Sequence, residues 1–206
     1  MKRSSSPKAT LPAVIPLSQP TLVAAPPSGP GWVHEVKLDG YRIAARVHRS
    51  EVRLMTRAEN DWTANATGVV EALRSLDLEG TVLDGEVLLF HPDGSSDFQG
   101  LRSVKSHRRE GAVIYVVFDL LFAHGRDLRS APLLERKMAL HQLLAHPGVG
   151  THVRPSELFE GSGAAVYRGA AGLGLEGIVS KRGVSPYRAG RTRDWVKCKN
   201  PAYRRR

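Results

Sequence analysis

The sequence predicts an α+β fold built on antiparallel sheets. Short segments with a strand-like pattern outnumber the helical segments, and the two kinds do not follow one another in regular βαβ order. The chain has 206 residues, of which 41% are hydrophobic, and this suffices for one domain with its own core. No apolar run reaches the roughly 18 residues that a membrane-spanning helix needs. The single cysteine, Cys198, excludes an internal disulfide framework and a metal site built from several cysteines.

Seven segments have the alternation or the β-branched composition of strands. They are residues 32–37, 43–48, 51–56, 81–90, 112–122, 177–181 and 194–199. The first two flank a turn at 38–40, and another turn is predicted at 91–94. The strand at 81–90 is predicted to be interrupted by its Asp-Gly-Glu sequence at 84–86. The segment 112–122 is strongly apolar and is predicted to be a buried strand.

Three segments have the apolar spacing of helices. They are residues 67–75, 133–144 and 161–173. The second has the clearest amphipathic pattern, and it carries Glu135, Arg136 and Lys137 on the side that we expect to face water.

The first 30 residues differ from the rest of the chain. They contain seven of the 13 prolines, three basic residues and no acidic residue, which excludes a regular helix or a central strand. We expect residues 1–10 to form a disordered basic tail and residues 11–30 to pack on the domain as an extended segment. Prolines also interrupt every short apolar stretch there, so the sequence predicts a cytoplasmic protein without a secretory signal.

The charge is strongly basic. Thirty Lys and Arg residues against 20 Asp and Glu give a net charge of +10, which is as consistent with a nucleic-acid partner as with a solvated basic face. Residues 181–206 hold ten Lys or Arg with interleaved aromatic residues, a composition typical of nucleic-acid surfaces. A second basic segment lies at 102–109. The candidate nucleic-acid contacts are Arg102, Lys105, Arg108, Lys181, Arg182, Arg188, Arg191 and Arg193.

An unusual local arrangement follows the first predicted strand. Lys37 stands at the strand end, on the same face as Glu35, and precedes a tight turn that contains Asp39 and Gly40. Glycine permits close approach of the backbone to a ligand, and the guanidinium of Arg42 offers a planar fork for a carboxylate or a phosphate. Taken alone, the segment is more typical of a surface hairpin with a local Lys–Asp pair.

Three other segments place charged residues in or beside apolar strands. Asp84 and Glu86 lie within one predicted strand, and Glu176 immediately precedes another. Lys197 and Lys199 share one face of the last strand. Each pattern alone also occurs as a strand-end charge or as protection of a sheet edge.

Together, and in this order and spacing, these segments resemble the nucleotidyltransferase signature of ATP-dependent DNA ligases and mRNA-capping enzymes. The five motif-like segments are residues 37–42, 84–86, 115–119, 176–179 and 195–199. The similarity is closest to the ligase domain of bacterial end-joining ligases and covers roughly residues 11–200.

The resemblance implies the ATP-grasp-like fold of ligases and capping enzymes for residues 31–200. That fold has two mainly antiparallel sheets with flanking helices and a nucleotide pocket between them. Complete ligases of this family continue past the fifth motif into an OB-fold domain, but only seven residues follow Lys199, so we expect residues 201–206 to be a basic tail and no OB-fold domain in the chain.

The same resemblance assigns roles to four catalytic candidates. Lys37 would become covalently adenylated, and Lys197 and Lys199 would neutralise charge on the α-phosphate. Asp39 would orient Lys37 or serve a later step on DNA. The chemistry is consistent, because an attacking lysine must be a neutral amine, and burial and neighbouring cations both favour that form.

Two acids are the candidate metal ligands. Glu176 and Glu86 would hold Mg²⁺ (or Mn²⁺), although Glu86 is also a candidate contact for the ribose. Phe118 and Ile178 are expected to sandwich the adenine. The residues expected to bind ATP are Glu35, Arg42, Arg57, Glu86, Phe118, Ile178, Lys197 and Lys199.

The implied function is that of a DNA ligase adenylation domain, which forms a lysyl-AMP and transfers the AMP to a DNA 5′-phosphate for repair or recombination. Its partners would be nicked or broken DNA and an OB-fold or end-joining protein in trans, in the bacterial cytoplasm and on the nucleoid. A non-catalytic DNA-binding accessory protein and an RNA ligase or capping-type enzyme stay open as alternatives. So do a stand-alone enzyme that uses pre-adenylated ends and a degenerate relative.

Overall fold

The computed structural model describes residues 11–12, 14–92, 96–102, 111–145 and 151–205. Within these ranges the chain forms ten strands in two sheets, with four α-helices and a short 3₁₀ helix. In chain order the strands are β1 (Ser18–Leu22), β2 (Trp32–Val36), β3 (Tyr41–His48), β4 (Glu51–Thr56), β5 (Thr81–Phe90), β6 (Ala112–Ala123), β7 (Arg126–Asp127), β8 (Val153–Pro155), β9 (Gly177–Arg182) and β10 (Gly190–Lys199). The α-helices are α1 (Thr67–Arg74), α2 (Phe98–Arg102), α3 (Leu133–Leu143) and α4 (Gly163–Gly172).

The two sheets are mainly antiparallel, as the sequence predicts. Sheet A has the strand order β1-β10-β9-β2, in which only the β1–β10 pair is parallel. Sheet B has the order β4-β3-β5-β6-β7, and β8 adds to β6 as a parallel strand. The chain therefore passes from sheet A to sheet B between β2 and β3, which places residues 37–40 at the junction of the sheets.

Three hydrophobic layers hold the domain together. The largest lies on the outer face of sheet B, where α1, α3 and β8 contribute side chains. The second joins residues of both sheets, among them Phe118 and Trp195. A small third cluster of Ala170, Ile178 and Cys198 lies between sheet A and α4. The second layer, which lies between the sheets and is called the middle layer below, also contains buried charges. These charges border the functional cleft.

The proline-rich segment contributes a strand that the sequence did not predict. Leu11 and Leu17 are buried, and β1 then pairs along the edge of sheet A. An edge position accommodates Pro20, because proline has no N–H to donate and an edge strand is paired on one side only. Val14 and Leu22, in contrast, are exposed.

The other predicted elements are present with small shifts. All seven predicted strands and all three predicted helices occur, and β5 runs continuously through Asp84-Gly85-Glu86 with irregular pairing to β6 instead of a break. The predicted turn at 91–94 lies partly outside the described residues. No helix in the described ranges is long and apolar enough to cross a bilayer.

The predicted polarity of α3 is wrong for two of its three charged residues. Glu135 is exposed, but Arg136 and Lys137 are only 1% and 3% exposed. Both point inward because each pairs with a buried carboxylate. Asp119 on β6 accepts a hydrogen bond from Arg136, and Glu35 on β2 accepts one from Lys137. Sequence periodicity treats every charged residue as outward-facing, so it misses a helix that supplies buried counter-ions.

Candidate active site

A cleft of about 570 Å³ opens where the two sheets meet. Its walls are formed by the turn after β2, by strands of both sheets and by the C-terminal segment. The cleft brings together most of the predicted site residues, although they come from distant parts of the chain. Those that line it are Glu35, Lys37, Asp39, Arg42, Arg57, Glu86, Phe118, Lys181, Arg191 and Lys197.

Lys37 lies at the junction of the sheets with its ammonium group inside the cleft. Its backbone N–H donates to the carbonyl of Gly177 at 2.9 Å, which continues the β2–β9 pairing by one residue. Its Nζ donates to Glu176 Oε2 at 2.6 Å, and the side chain is 19% exposed. Antiparallel pairing thus fixes this lysine beside the acid that precedes β9.

A group of cations surrounds this pair. Lys199 Nζ lies 3.3 Å from Glu176 Oε1, so the carboxylate is shared by two lysines. Burial lowers the pKa of Lys197, and the charges of Lys37, Lys199 and Arg57 lower it further. Two of these four cations contact Glu176 directly, and the other two lie near them, so this end of the cleft has an excess of positive charge that suits a ligand with several phosphates.

Glu86 is the second acid at this end of the cleft. Its Oε1 accepts a hydrogen bond from the backbone N–H of Gly40 at 3.0 Å. Burial raises the pKa of Glu86, an effect that Lys37 opposes and Glu176 reinforces. Glycine is required at position 40, because a Cβ there would lie 2.2 Å from the carbonyl oxygen of Val87.

Asp39 is held by two residues of the C-terminal segment 201–206, which the sequence predicted to be only a basic tail. It is 7% exposed and accepts a hydrogen bond from the Tyr203 hydroxyl at 3.0 Å. The guanidinium of Arg205 donates to both carboxylate oxygens, through Nε at 2.7 Å and through Nη2, and lies 4.1 Å from the centre of the Phe98 ring. The C-terminal segment therefore closes one side of the cleft. Nothing in the sequence pattern indicates this contact, because two residues in a basic run give no signal of pairing.

The aromatic end of the cleft is built around Phe118. This ring is 9% exposed, packs edge-on against Trp195 at 6.3 Å, and has Lys181 Nζ at 4.6 Å from its centre. Arg42 also lies over the ring, 5.0 Å from its centre, and forms a two-pronged ion pair with Asp84 at 2.9 and 2.7 Å. Arg42 is thus placed at the aromatic end of the cleft.

The prediction for Ile178 is wrong. Ile178 is completely buried among Ala170 and Cys198 on the α4 side of sheet A, and it does not line the cleft. The next residue, Val179, lines the cleft instead. The side chains of a strand alternate between its faces, so an error of one residue moves the prediction to the opposite side of the sheet.

Glu35 lines the cleft, but its carboxylate is engaged within the protein. Oε1 accepts from Lys137 at 2.7 Å and Oε2 accepts from Lys181 at 2.6 Å. Burial alone would raise the pKa of Glu35, yet the two ammonium groups outweigh it and hold the pKa below its ordinary value. The prediction that Lys181 contacts nucleic acid is therefore wrong, because this lysine is 1% exposed and serves as an internal counter-ion.

The remaining predicted nucleic-acid contacts fall into two groups. Arg182, Arg188, Arg191 and Arg193 are exposed on or beside β9 and β10, where Arg182 stacks on the Trp32 ring at 4.2 Å. Lys105 and Arg108 lie outside the described residues, and so does the side chain of Arg102.

The sequence profile of the family described as "ATP dependent DNA ligase domain" matches residues 22–199. The chain belongs to this family. LigD of Pseudomonas aeruginosa, a multifunctional non-homologous end joining protein, is 38% identical to this chain over 192 residues. The matched region covers 93% of this chain and 23% of that protein. The SPbeta prophage-derived DNA ligase-like protein LigB of Bacillus subtilis is 34% identical over 176 residues, 84% of this chain and 62% of that protein.

Solved structures agree with the sequence relatives. Mycobacterial DNA ligase D in complex with ATP and MES superposes with a TM-score of 0.74 at 28% identity, over 89% of this chain and 60% of that one. The ligase domain of Mycobacterium tuberculosis LigD gives a TM-score of 0.70 at 28% identity, over 89% of this chain and 59% of that one. The chain thus spans less than two thirds of the length of each of these relatives. The predicted family and the predicted nucleotidyltransferase fold are both confirmed.

Proposed function

We propose that this domain forms a covalent lysyl-AMP at Lys37 from ATP and passes the AMP to the 5′-phosphate of a DNA break. The observation that carries the proposal is the position of Lys37, whose Nζ lies 2.6 Å from Glu176 inside a cleft lined with cations and aromatic rings. A lysine that only solubilised the surface would be expected to extend into solvent, whereas the Lys37 side chain is 19% exposed and paired with an acid in the cleft.

In the first step, the neutral amine of Lys37 attacks the α-phosphorus of ATP. An N–P bond forms, the bond between the α-phosphorus and its bridging oxygen breaks, and pyrophosphate leaves. Glu176 Oε2, which accepts from Lys37 Nζ in the structure, is the group placed to hold the proton that the amine gives up.

The later steps break the N–P bond to Lys37 and then join the two DNA ends. An oxygen of the DNA 5′-phosphate attacks the phosphorus of the lysyl-AMP, and the N–P bond to Lys37 breaks. A DNA 3′-hydroxyl then attacks the activated 5′-phosphate, and AMP leaves. Asp39 lies two residues after Lys37 at the edge of the cleft, where Tyr203 and Arg205 hold it, and we assign it to the steps on DNA.

The cations around Lys37 bind and stabilise the phosphates. Lys197, Lys199 and Arg57 would neutralise the charge that develops on the α-phosphate and on the departing pyrophosphate.

Mg²⁺ (or Mn²⁺) fits this arrangement. Within the described residues no cluster of three or more potential metal ligands occurs, so an all-protein cage is not available. Glu176 and Glu86 supply two carboxylates near the phosphate end, and Mg²⁺ is commonly held by one or two carboxylates together with substrate phosphates. When bound, the ion would neutralise phosphate charge and polarise the P–O bonds.

The aromatic end of the cleft provides the base site. Phe118 and Val179 offer apolar contact to a planar base, and Trp195 packs behind Phe118. Adenine is the base that the family relationship favours.

A matched pair of variants tests which residue of β9 faces the base. Val179→Ala is expected to raise the KM for ATP about fivefold, because about 1 kcal/mol of apolar contact is lost. Ile178→Ala is expected to lower the free energy of unfolding by about 2–5 kcal/mol and to leave the KM for ATP unchanged. Labelling rates at several ATP concentrations, with denaturant unfolding in parallel, would measure both effects. The opposite assignment of effects would show that Ile178 lines the site.

DNA would approach the exposed arginines beside β9 and β10. Arg182, Arg188, Arg191 and Arg193 are placed to contact the phosphate backbone, and such contacts would weaken as salt increases. An OB-fold or end-joining protein acting in trans would complete the grip on DNA, in the bacterial cytoplasm and on the nucleoid.

Incubation of the full chain with ATP labelled at the α-phosphate, with Mg²⁺, tests the proposed function. We expect a covalent label on the protein that excess unlabelled ATP prevents and that GTP and NAD do not prevent. Addition of nicked DNA to the washed, labelled protein is expected to move the label onto DNA. Salt-sensitive DNA binding without any protein label would contradict the proposal and would favour an accessory DNA-binding protein.

A further inference from the structure

A buried chain of hydrogen bonds begins at the N-terminal strand β1. The backbone N–H of Ser18 donates to the hydroxyl oxygen of Tyr187 at 2.9 Å, and Ser18 is 1% exposed. The Tyr187 hydroxyl in turn donates to Asp84 Oδ2 at 2.6 Å, across 103 residues of sequence. Neither Tyr187 nor Asp84 is among the residues expected to bind nucleotide.

The chain of hydrogen bonds continues into the cleft through Arg42. Asp84 is completely buried, and its two oxygens accept from Nε and Nη2 of Arg42. The Arg42 guanidinium is thereby held 5.0 Å from the centre of the Phe118 ring, on the cleft wall. A buried carboxylate is costly unless its acceptor sites are filled, so the hydrogen bond from the Tyr187 hydroxyl helps to hold Asp84 in the orientation that pairs with Arg42.

Strand β1 also forms part of the cleft itself. Gln19 and Pro20 line it, opposite residues of sheet B. The β1–β10 register changes after Pro20, from Thr192 to Val196, and this change falls where Trp195 enters the cleft and packs edge-on against Tyr187 at 5.6 Å. Strand β1 therefore both lines the cleft, through Gln19 and Pro20, and holds the Tyr187 hydroxyl, through the backbone of Ser18.

We propose that Tyr187 is a positioning residue for nucleotide binding, which, supported by β1, holds Asp84 and through it fixes Arg42 against Phe118 at the base and ribose end of the cleft. The inference rests on the proposed function. It adds Tyr187 and strand β1 to the nucleotide site, and neither belongs to the five motif-like segments. The rate of the chemical step at Lys37 does not depend on this relay, because Lys37 is held by Glu176 and Gly177.

The variant Tyr187→Phe removes the hydroxyl and keeps the ring. We expect the KM for ATP in the labelling reaction to rise about three- to tenfold, with the maximal labelling rate unchanged. Tyr115→Phe is the matched control, because its hydroxyl is also buried but donates to the carbonyls of Ile43 and Leu83 instead of to Asp84. A loss of stability shared by both variants with a KM change confined to Tyr187→Phe would support a positioning role.

Two further variants separate the relay from a general structural effect. Ser18→Pro removes the N–H at the outer end of the chain, leaves Tyr187 in place, and is expected to raise the KM for ATP by a smaller factor. In an Arg42→Ala background, Tyr187→Phe is expected to have no further effect on the KM, because the group through which it acts is gone.

The outcomes distinguish this inference from the proposed function. If the wild-type chain takes no label, the proposed function fails and the inference fails with it. If the wild-type chain is labelled but Tyr187→Phe and Ser18→Pro leave the KM unchanged, the relay is overturned and the proposed function stands. Equal KM changes in Tyr187→Phe and Tyr115→Phe, or full additivity with Arg42→Ala, would also overturn it.

Discussion

Replacement of Lys37 by alanine is expected to abolish covalent transfer of AMP while the fold is retained. The attacking nitrogen is lost, and Lys197 and Lys199 on β10 are assigned to the phosphates and not to the attack. The side chain of Lys37 is 19% exposed and belongs to no apolar cluster, so its removal should cost little stability. Labelling with ATP, followed by denaturing electrophoresis, measures the loss.

Lys199→Ala is the control for the charge of Lys37. Lys199 contacts the same carboxylate but is 53% exposed, so its removal should slow labelling without preventing it. A label that persists on Lys37→Ala at the wild-type rate would show that another residue accepts AMP.

Replacement of Arg136 by alanine is expected to give the largest loss of stability. Arg136 and Asp119 form an ion pair in which both side chains are 0% exposed, with bonds of 2.7 and 2.8 Å. Removal of one partner leaves an uncompensated buried charge, and such variants lose about 3–5 kcal/mol. Denaturant unfolding at neutral pH measures the free energy of unfolding.

Arg129→Ala is the matched control for this prediction. Arg129 forms a similar two-pronged pair with Asp127, but the two side chains are 37% and 38% exposed, so the expected loss is about 0.2–1 kcal/mol. Similar losses in the two variants would contradict the claim that the middle layer depends on buried counter-ions.

The Arg136→Ala variant should also respond to pH in a specific direction. Burial raises the pKa of Asp119 above its ordinary value of 3.8, and Arg136 opposes this increase. Without Arg136 the pKa rises further, so the folded state binds a proton that the unfolded state releases. The destabilisation should therefore be smaller in mild acid than at neutral pH, relative to the wild type. A loss that does not depend on pH would show that Asp119 is not the origin of the effect.

The sequence predicted the elements and the motifs because both are local. The strand patterns located β2, β5, β6, β9 and β10, and the resemblance placed Lys37 with Glu176. Antiparallel pairing of β2 with β9 is what unites those two residues in space. Where a prediction needed only residue type and order, it agreed with the structure.

The predictions that failed needed the direction of one side chain or its partner in space. Ile178 and Val179 differ by one position, and only the packing of α4 decides which of them faces the cleft. Arg136 and Lys181 look like surface cations until the buried acids Asp119 and Glu35 are located. Arg205 gave no signal at all, because its partner is 166 residues away in the sequence.

Mass spectrometry of the intact chain, before and after incubation with ATP and Mg²⁺, tests the central claim most directly. The account predicts a mass gain of one AMP group, located by peptide mapping on Lys37 and removed when pyrophosphate is added. A chain that binds ATP but gains no mass, or that carries the AMP on any other residue, would contradict it.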